Sequence, residues 1–132
     1  MCFWKNILEL NLLENKHKLN MKKLVNPLIE NKDYLITDET SYSNIYLNVS
    51  LNRLLDLLGN PSIIGSGDNK VQIEWVYYKS KDIAFTIYDY KSNALIHNIR
   101  NWHVGSKNLK LEQIISELKN LGFEDSEIKV NK

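Results

Sequence analysis

Five residues in the second half of the chain could do chemistry together: Glu74, Thr86, Tyr88, Tyr90 and His103. A carboxylate, a hydroxyl, two phenols and an imidazole donate, accept and stack, which suits a ligand- or partner-binding surface. His103 titrates near neutrality, and Glu74 or Asp89 would orient it as a general base. No Ser or Cys stands in a recognisable activating setting, so the constellation has an acid–base pair without a nucleophile. His17, His97 and His103 show no metal-ligand spacing and the nearby carboxylates form no cluster, so neither a metal nor another cofactor is expected. Gly65-Ser66-Gly67 offers backbone N–H groups to an anion. It lacks the Gly-Lys-Ser/Thr ending of a phosphate loop and leads into a strand, so it reads as a turn.

Those residues need strands to hold them. Lys70 to Lys79 and Asp82 to Tyr90 are rich in β-branched and aromatic residues and predict a hairpin, with Asn101 to Gly105 as a third short strand. Register follows from the apolar sets. Val71, Ile73, Trp75 and Tyr77 on one strand must share a face with Ile83, Phe85 and Ile87 on the next. A two-residue turn at Ser80-Lys81 would pair Tyr77 with Ala84 and set these groups on opposite faces, so a three-residue connection or a bulge is required. Trp102 and Val104 extend the apolar face. Alternation sends Gln72, Glu74, Val76, Tyr78, Thr86, Tyr88, Tyr90 and His103 the other way. It also puts Asp89 on the core side, where it must cap a turn or meet buried partners.

Two helices supply the cover. Ser50 caps a helix over 51–58 with Leu51, Leu54, Leu55 and Leu58 in one stripe, stopped by Gly59 and Pro61. Asn108 opens a second over 109–121 with Leu111, Ile114, Ile115 and Leu118 on one face, ended by Gly122 with Phe123 closing over Leu118. Residues 1–20 form an N-terminal extension with a short helical pattern, Asp33 to Thr37 an extended run, Tyr42 to Val49 a strand or loop, and Ile128 to Val130 an edge strand. The expected fold is α+β over residues 21–132, a small antiparallel sheet (hairpin 70–90 plus strand 101–105) packed on the two helices.

Composition narrows the function. The chain has 132 residues, enough for one core, and 17 Lys+Arg against 16 Asp+Glu are spread without blocks. A nucleic-acid binder concentrates basic charge and favours Arg. Here Arg53 and Arg100 are the two arginines, so nucleic acid is not the expected partner. Cys2 has no internal partner, and no apolar run approaches a membrane span or a secretory leader, so a cytoplasmic setting is expected.

Glu74-Trp75, then Ala84-Phe85-Thr86-Ile87-Tyr88-Asp89-Tyr90-Lys91, then Trp102-His103-Val104-Gly105-Ser106 resembles a pattern in small uncharacterised proteins of phages and large DNA viruses. Over about residues 50–120 the resemblance implies an accessory viral-type domain acting in the host cytoplasm, and no catalytic residue. The leading expectation is a non-catalytic binding module that uses Glu74, Thr86, Tyr88, Tyr90 and His103 to hold a protein partner or a small polar ligand, with a homodimer as one form. The alternatives are a small hydrolase or nucleotide-processing enzyme with His103 as base, and a structural or assembly protein.

Overall fold

The computed structural model describes residues 20–25, 40–65, 71–90 and 94–131. The helical pattern before Asn20, the run from Asp33 to Thr37, and most of the Gly65-to-Asn69 turn lie outside them. The described strands are β1 (Lys22–Lys23), β2 (Ser41–Asn48), β3 (Ile63–Ile64), β4 (Ile73–Ser80), β5 (Ile83–Tyr88), β6 (Asn101–Lys107) and β7 (Ile128–Val130). The helices are α1 (Leu51–Leu58) and α2 (Leu111–Asn120), and a 3₁₀ turn spans Ile96–Asn98.

The fold is α+β, but the sheet is larger than the expected hairpin plus one strand. It has seven antiparallel strands in the order β1-β4-β5-β6-β2-β7, with β3 also on β4. The underestimate came chiefly from β2. Its Ser43-Asn44 step is bulged, with Asn44 at φ +66°, and this breaks the alternation that reveals a strand. Ser43 Oγ fills the gap by donating to the Val104 carbonyl (2.6 Å) and accepting from the Ile45 N–H (3.3 Å). β2 is thereby held between β6 and β7, pairing Ile45 with both Val104 and Val130.

The β4–β5 register meets the sequence requirement through a bulge at Lys79. Ser80 pairs with Ile83 across a Lys81-Asp82 turn, and the slip between Tyr78 and Ser80 sets Tyr77 opposite Phe85. Their rings stack with centroids 5.1 Å apart.

Ser50 caps α1 as expected, its Oγ accepting the Arg53 N–H (3.2 Å). At the other end, Trp75 Nε1–H donates to the Gly59 carbonyl (2.9 Å) and the Lys23 ammonium to the Leu58 carbonyl. The sheet thus satisfies carbonyls that a helix leaves open at its C-terminus. Helix α2 starts two residues later than 109, because Asn108 adopts φ +57° and donates from Nδ2 to the Asp82 carbonyl (2.6 Å). It ends as read: Phe123 N–H bonds Leu118 O (3.2 Å) and Gly122 N–H bonds Lys119 O (3.0 Å), a Schellman stop with Gly122 at φ +111°. Arg53 grips Glu127 through two N–H groups (3.0 and 3.1 Å), tying α1 to the turn before β7.

Both helices pack on one face of the sheet, but of the expected stripes Leu55 and Leu111 stay exposed at the edges. Leu54, Leu58, Ile114 and Leu118 meet Trp75, Phe85, Ile87, Trp102 and Val104 there. Trp102 is fully buried, at no pocket rim, and its Nε1–H donates to the Val49 carbonyl (3.1 Å). The opposite face is not uniformly open. Leu24, Val76 and Ala84 form a second small cluster against Ile63 and Tyr78. What this cluster leaves uncovered is the polar and aromatic remainder of the face. No described helix is long and apolar enough to cross a membrane.

Candidate functional site

Sheet register brings four of the five sequence-predicted residues, all but Tyr90, into two neighbouring rows. Glu74 on β4 faces Tyr88 on β5, Tyr88 faces His103 on β6, and His103 faces Tyr46 on β2. In the next row Thr86 is flanked by Val76 and Gly105, and Gly105 by Tyr42. Side chains two apart share a face, so both rows present to the side away from the helices.

His103 is the centre of an aromatic group. Tyr42 stacks on its imidazole with centroids 4.5 Å apart, Tyr90 stacks at 5.6 Å, and Tyr88 meets it edge-on at 5.7 Å. Tyr88 and Tyr90 are themselves in edge contact at 6.3 Å. Burial under these rings lowers the His103 pKa from its ordinary value, so the imidazole is neutral at pH 7. Tyr42 is fixed from behind, its hydroxyl accepting from Asn131 Nδ2 (2.7 Å). Sequence reasoning missed Tyr42 because the bulge at Ser43-Asn44 hid its phase relative to Tyr46.

Gly105 makes the arrangement sterically feasible. A Cβ there would lie 3.1 Å from Thr86 Oγ1, 3.2 Å from Tyr88 Cε1 and 3.4 Å from the Ser41 carbonyl. The absent side chain is the space into which the Tyr88 ring leans.

Glu74 is unusual in charge. Burial pushes its carboxyl up to about 7; the Thr86 hydroxyl opposes the rise and the neighbouring Asp89 carboxylate adds to it. Thr86 Oγ1 is itself fully buried beside the carboxyl whose rise it opposes. Tyr88 is pushed up to about 12, first by burial and then by Glu74, Tyr42 and Tyr90, which places those acidic groups within electrostatic reach of its hydroxyl.

The acid–base pair is not assembled. Asp89 is fully buried, and its Oδ1 accepts the N–H groups of Gln72 (2.8 Å) and Ile73 (3.0 Å), while Oδ2 has no partner. It caps the start of β4 and is held by buried partners at once. Glu74 is separated from His103 by the intervening β5 residue Tyr88. His103 has ring contacts in place of a carboxylate bond among the described residues.

A cleft of about 270 Å³ opens elsewhere, where Met21, Tyr77, Phe85, Glu117, Asn120 and Leu121 meet at the end of α2. None of the five sequence-predicted residues lines it. Tyr77, pushed up to about 12 by burial, stays a neutral phenol there. Among the described residues no group of three or more His, Cys, Asp or Glu is placed to hold a metal ion.

Comparison with protein-family models, with curated proteins and with solved structures finds no match, so the functional reading rests on the geometry of this face.

Proposed function

We propose that the chain is a non-catalytic binding module that holds a protein partner or a small polar ligand on the Glu74, Thr86, Tyr88, Tyr90 and His103 face, with Tyr42 added. The observation that supports this best is the His103 imidazole set between Tyr42 and Tyr90 and edged by Tyr88. The rings pack on one another before anything binds. Rigid amphipathic rings give contact area at small entropic cost, which is why Tyr is favoured at binding surfaces. Tyr90 adds reach, being 42% exposed at the margin of the group.

The resemblance to phage and large-virus proteins fits an accessory role in a host cytoplasm, where such a module acts by association. A second copy of the chain is one form the partner can take, and a free polar ligand is another.

Native mass spectra of the full chain purified from its own cells, wild type against Tyr90→Ala, test the reading. A retained mass or a doubled mass that the substitution removes is the expected result. Retention of the same mass by Tyr90→Ala together with His103→Ala, in a protein with unchanged circular dichroism, would overturn it.

A further inference from the structure

One row of this face has the same residue types read from either end, apart from the sign of its terminal charges. Glu74 on β4 pairs with Tyr88 on β5, Tyr88 with His103 on β6, His103 with Tyr46 on β2, and Tyr46 with Lys129 on β7. Side chains directly opposite one another share a face, so carboxyl, phenol, imidazole, phenol and ammonium run in line across five strands. His103 stands on the middle strand of the five, with a tyrosine on each side. Lys129 is exposed and the other four are half-buried. With strands about 4.8 Å apart, the two charged ends are roughly 19 Å from each other by backbone position, too far to pair within one chain.

We propose that this face pairs with the same face of a second copy of the chain, about a two-fold axis that runs along β6 through His103. The inference rests on the binding-module reading and names the partner. Such an axis exchanges the two ends of the row. Glu74 of each copy meets the partner's Lys129, Tyr88 meets the partner's Tyr46, and the two His103 residues lie on the axis. The other two-fold open to facing sheets, across the strands, would set Glu74 on Glu74 and Lys129 on Lys129, so charge selects the first. A two-fold along a strand also lays a twisted sheet on one of matching twist, and facing sheets then cross at about 30°. That inclination offsets each carboxyl from its ammonium by about 5 Å, which the lysine stem spans. It also sets Lys107, two rows further along β6, to one side of its counterpart. The approaching ammonium favours the ionised carboxyl at Glu74. A face five strands wide and about six residues long gives a contact on the order of 1,000 Å² for the two copies together. This is the low end of specific interfaces, so the dimer is reversible.

The probe is the full chain itself, followed by sedimentation velocity at pH 8 over a wide range of protein concentration. The wild type is expected to pass from monomer to dimer as concentration rises. Lys129→Glu alone and Glu74→Lys alone should each raise the dissociation constant about tenfold or more, because each sets like charges together twice in the dimer. An equimolar mixture of these two variants should associate again, because in the mixed dimer both contacts join opposite signs. Undiminished association in Lys129→Glu, or no recovery in the mixture of two folded variants, overturns the inference. Lys129 is exposed, so its variant decides the question even where Glu74→Lys does not fold. If the wild type stays monomeric throughout while Tyr90→Ala still strips a retained mass, self-pairing is refuted and the binding face stands with another occupant. If Tyr90→Ala and His103→Ala together also leave that mass in place, both fall.

Discussion

The imidazole of His103 lies against the ring of Tyr42 with centroids 4.5 Å apart and planes inclined by 25°. The contact joins β6 to β2 across the bulge and keeps water from one face of the imidazole. Removing that ring should be read directly in the titration of His103.

In Tyr42→Ala the His103 pKa should rise toward its ordinary value, because burial is the cause of its depression. The sign for stability follows. A depressed histidine stabilises the fold fully above pH 6.5, and the benefit is lost as pH falls through the folded value, so the variant should show a smaller acid loss. Losing the stack itself should cost about 0.5–1.5 kcal/mol at pH 7. The Cε1–H chemical shift of His103 against pH, together with urea unfolding at pH 5 and 7, checks both.

Glu74→Gln should stabilise the protein in alkaline solution and leave it nearly unchanged in acid. The folded carboxyl is raised from 4.5 to about 7, so stability present below pH 4.5 is lost between about pH 4.5 and 7, and the loss is constant above that. A shift of that size corresponds to a penalty on the order of 3 kcal/mol, which the amide does not incur. Urea midpoints at pH 4 and pH 8 decide it: equal gains at both would show that ionisation is not the cause.

Gly105→Ala should displace Tyr88. The new methyl would meet Thr86 Oγ1 at 3.1 Å and Tyr88 Cε1 at 3.2 Å, both closer than ordinary contact. Overpacking of this kind costs about 1–3 kcal/mol. The Tyr88 and His103 ring signals should move together, while signals from α1 should stay in place.

Asp89→Ala removes the acceptor shared by the Gln72 and Ile73 N–H groups. Leaving these donors unmet at the start of β4 should cost about 2–4 kcal/mol. Hydrogen exchange should rise first at those two amides, and unchanged protection there would contradict the capping role.

Much of this architecture could be read from residue order. The Leu stripe and Ser50 cap fixed α1, Gly122 and Phe123 fixed the end of α2, and the apolar sets of β4 and β5 demanded the bulge found at Lys79. Glu74, Thr86, Tyr88 and His103 do share adjacent rows of one face. Other features escaped because their signals are short or interrupted. β1 and β3 are two residues each, too few for a period, and β2 loses its alternation at Asn44. With β2 uncertain, Tyr42 had no face assigned. Val76 is more deeply buried than alternation suggests, because Leu24 and Ile63 pack against it, a contact no local pattern announces.

The place of β2 in the sheet also bears on how fast the molecule reaches its native state. β4, β5 and β6 join successive neighbours, whereas β2 must find β6 and β7 far along the chain, with Leu47 opposite both Trp102 and Ile128. Closing such loops loses chain entropy before any contact compensates it, and pairings of this kind slow folding to times on the order of milliseconds to seconds. During that interval β6 has a bare hydrogen-bonding edge that β2 later covers, so newly made chains will be most prone to associate with one another before β2 docks.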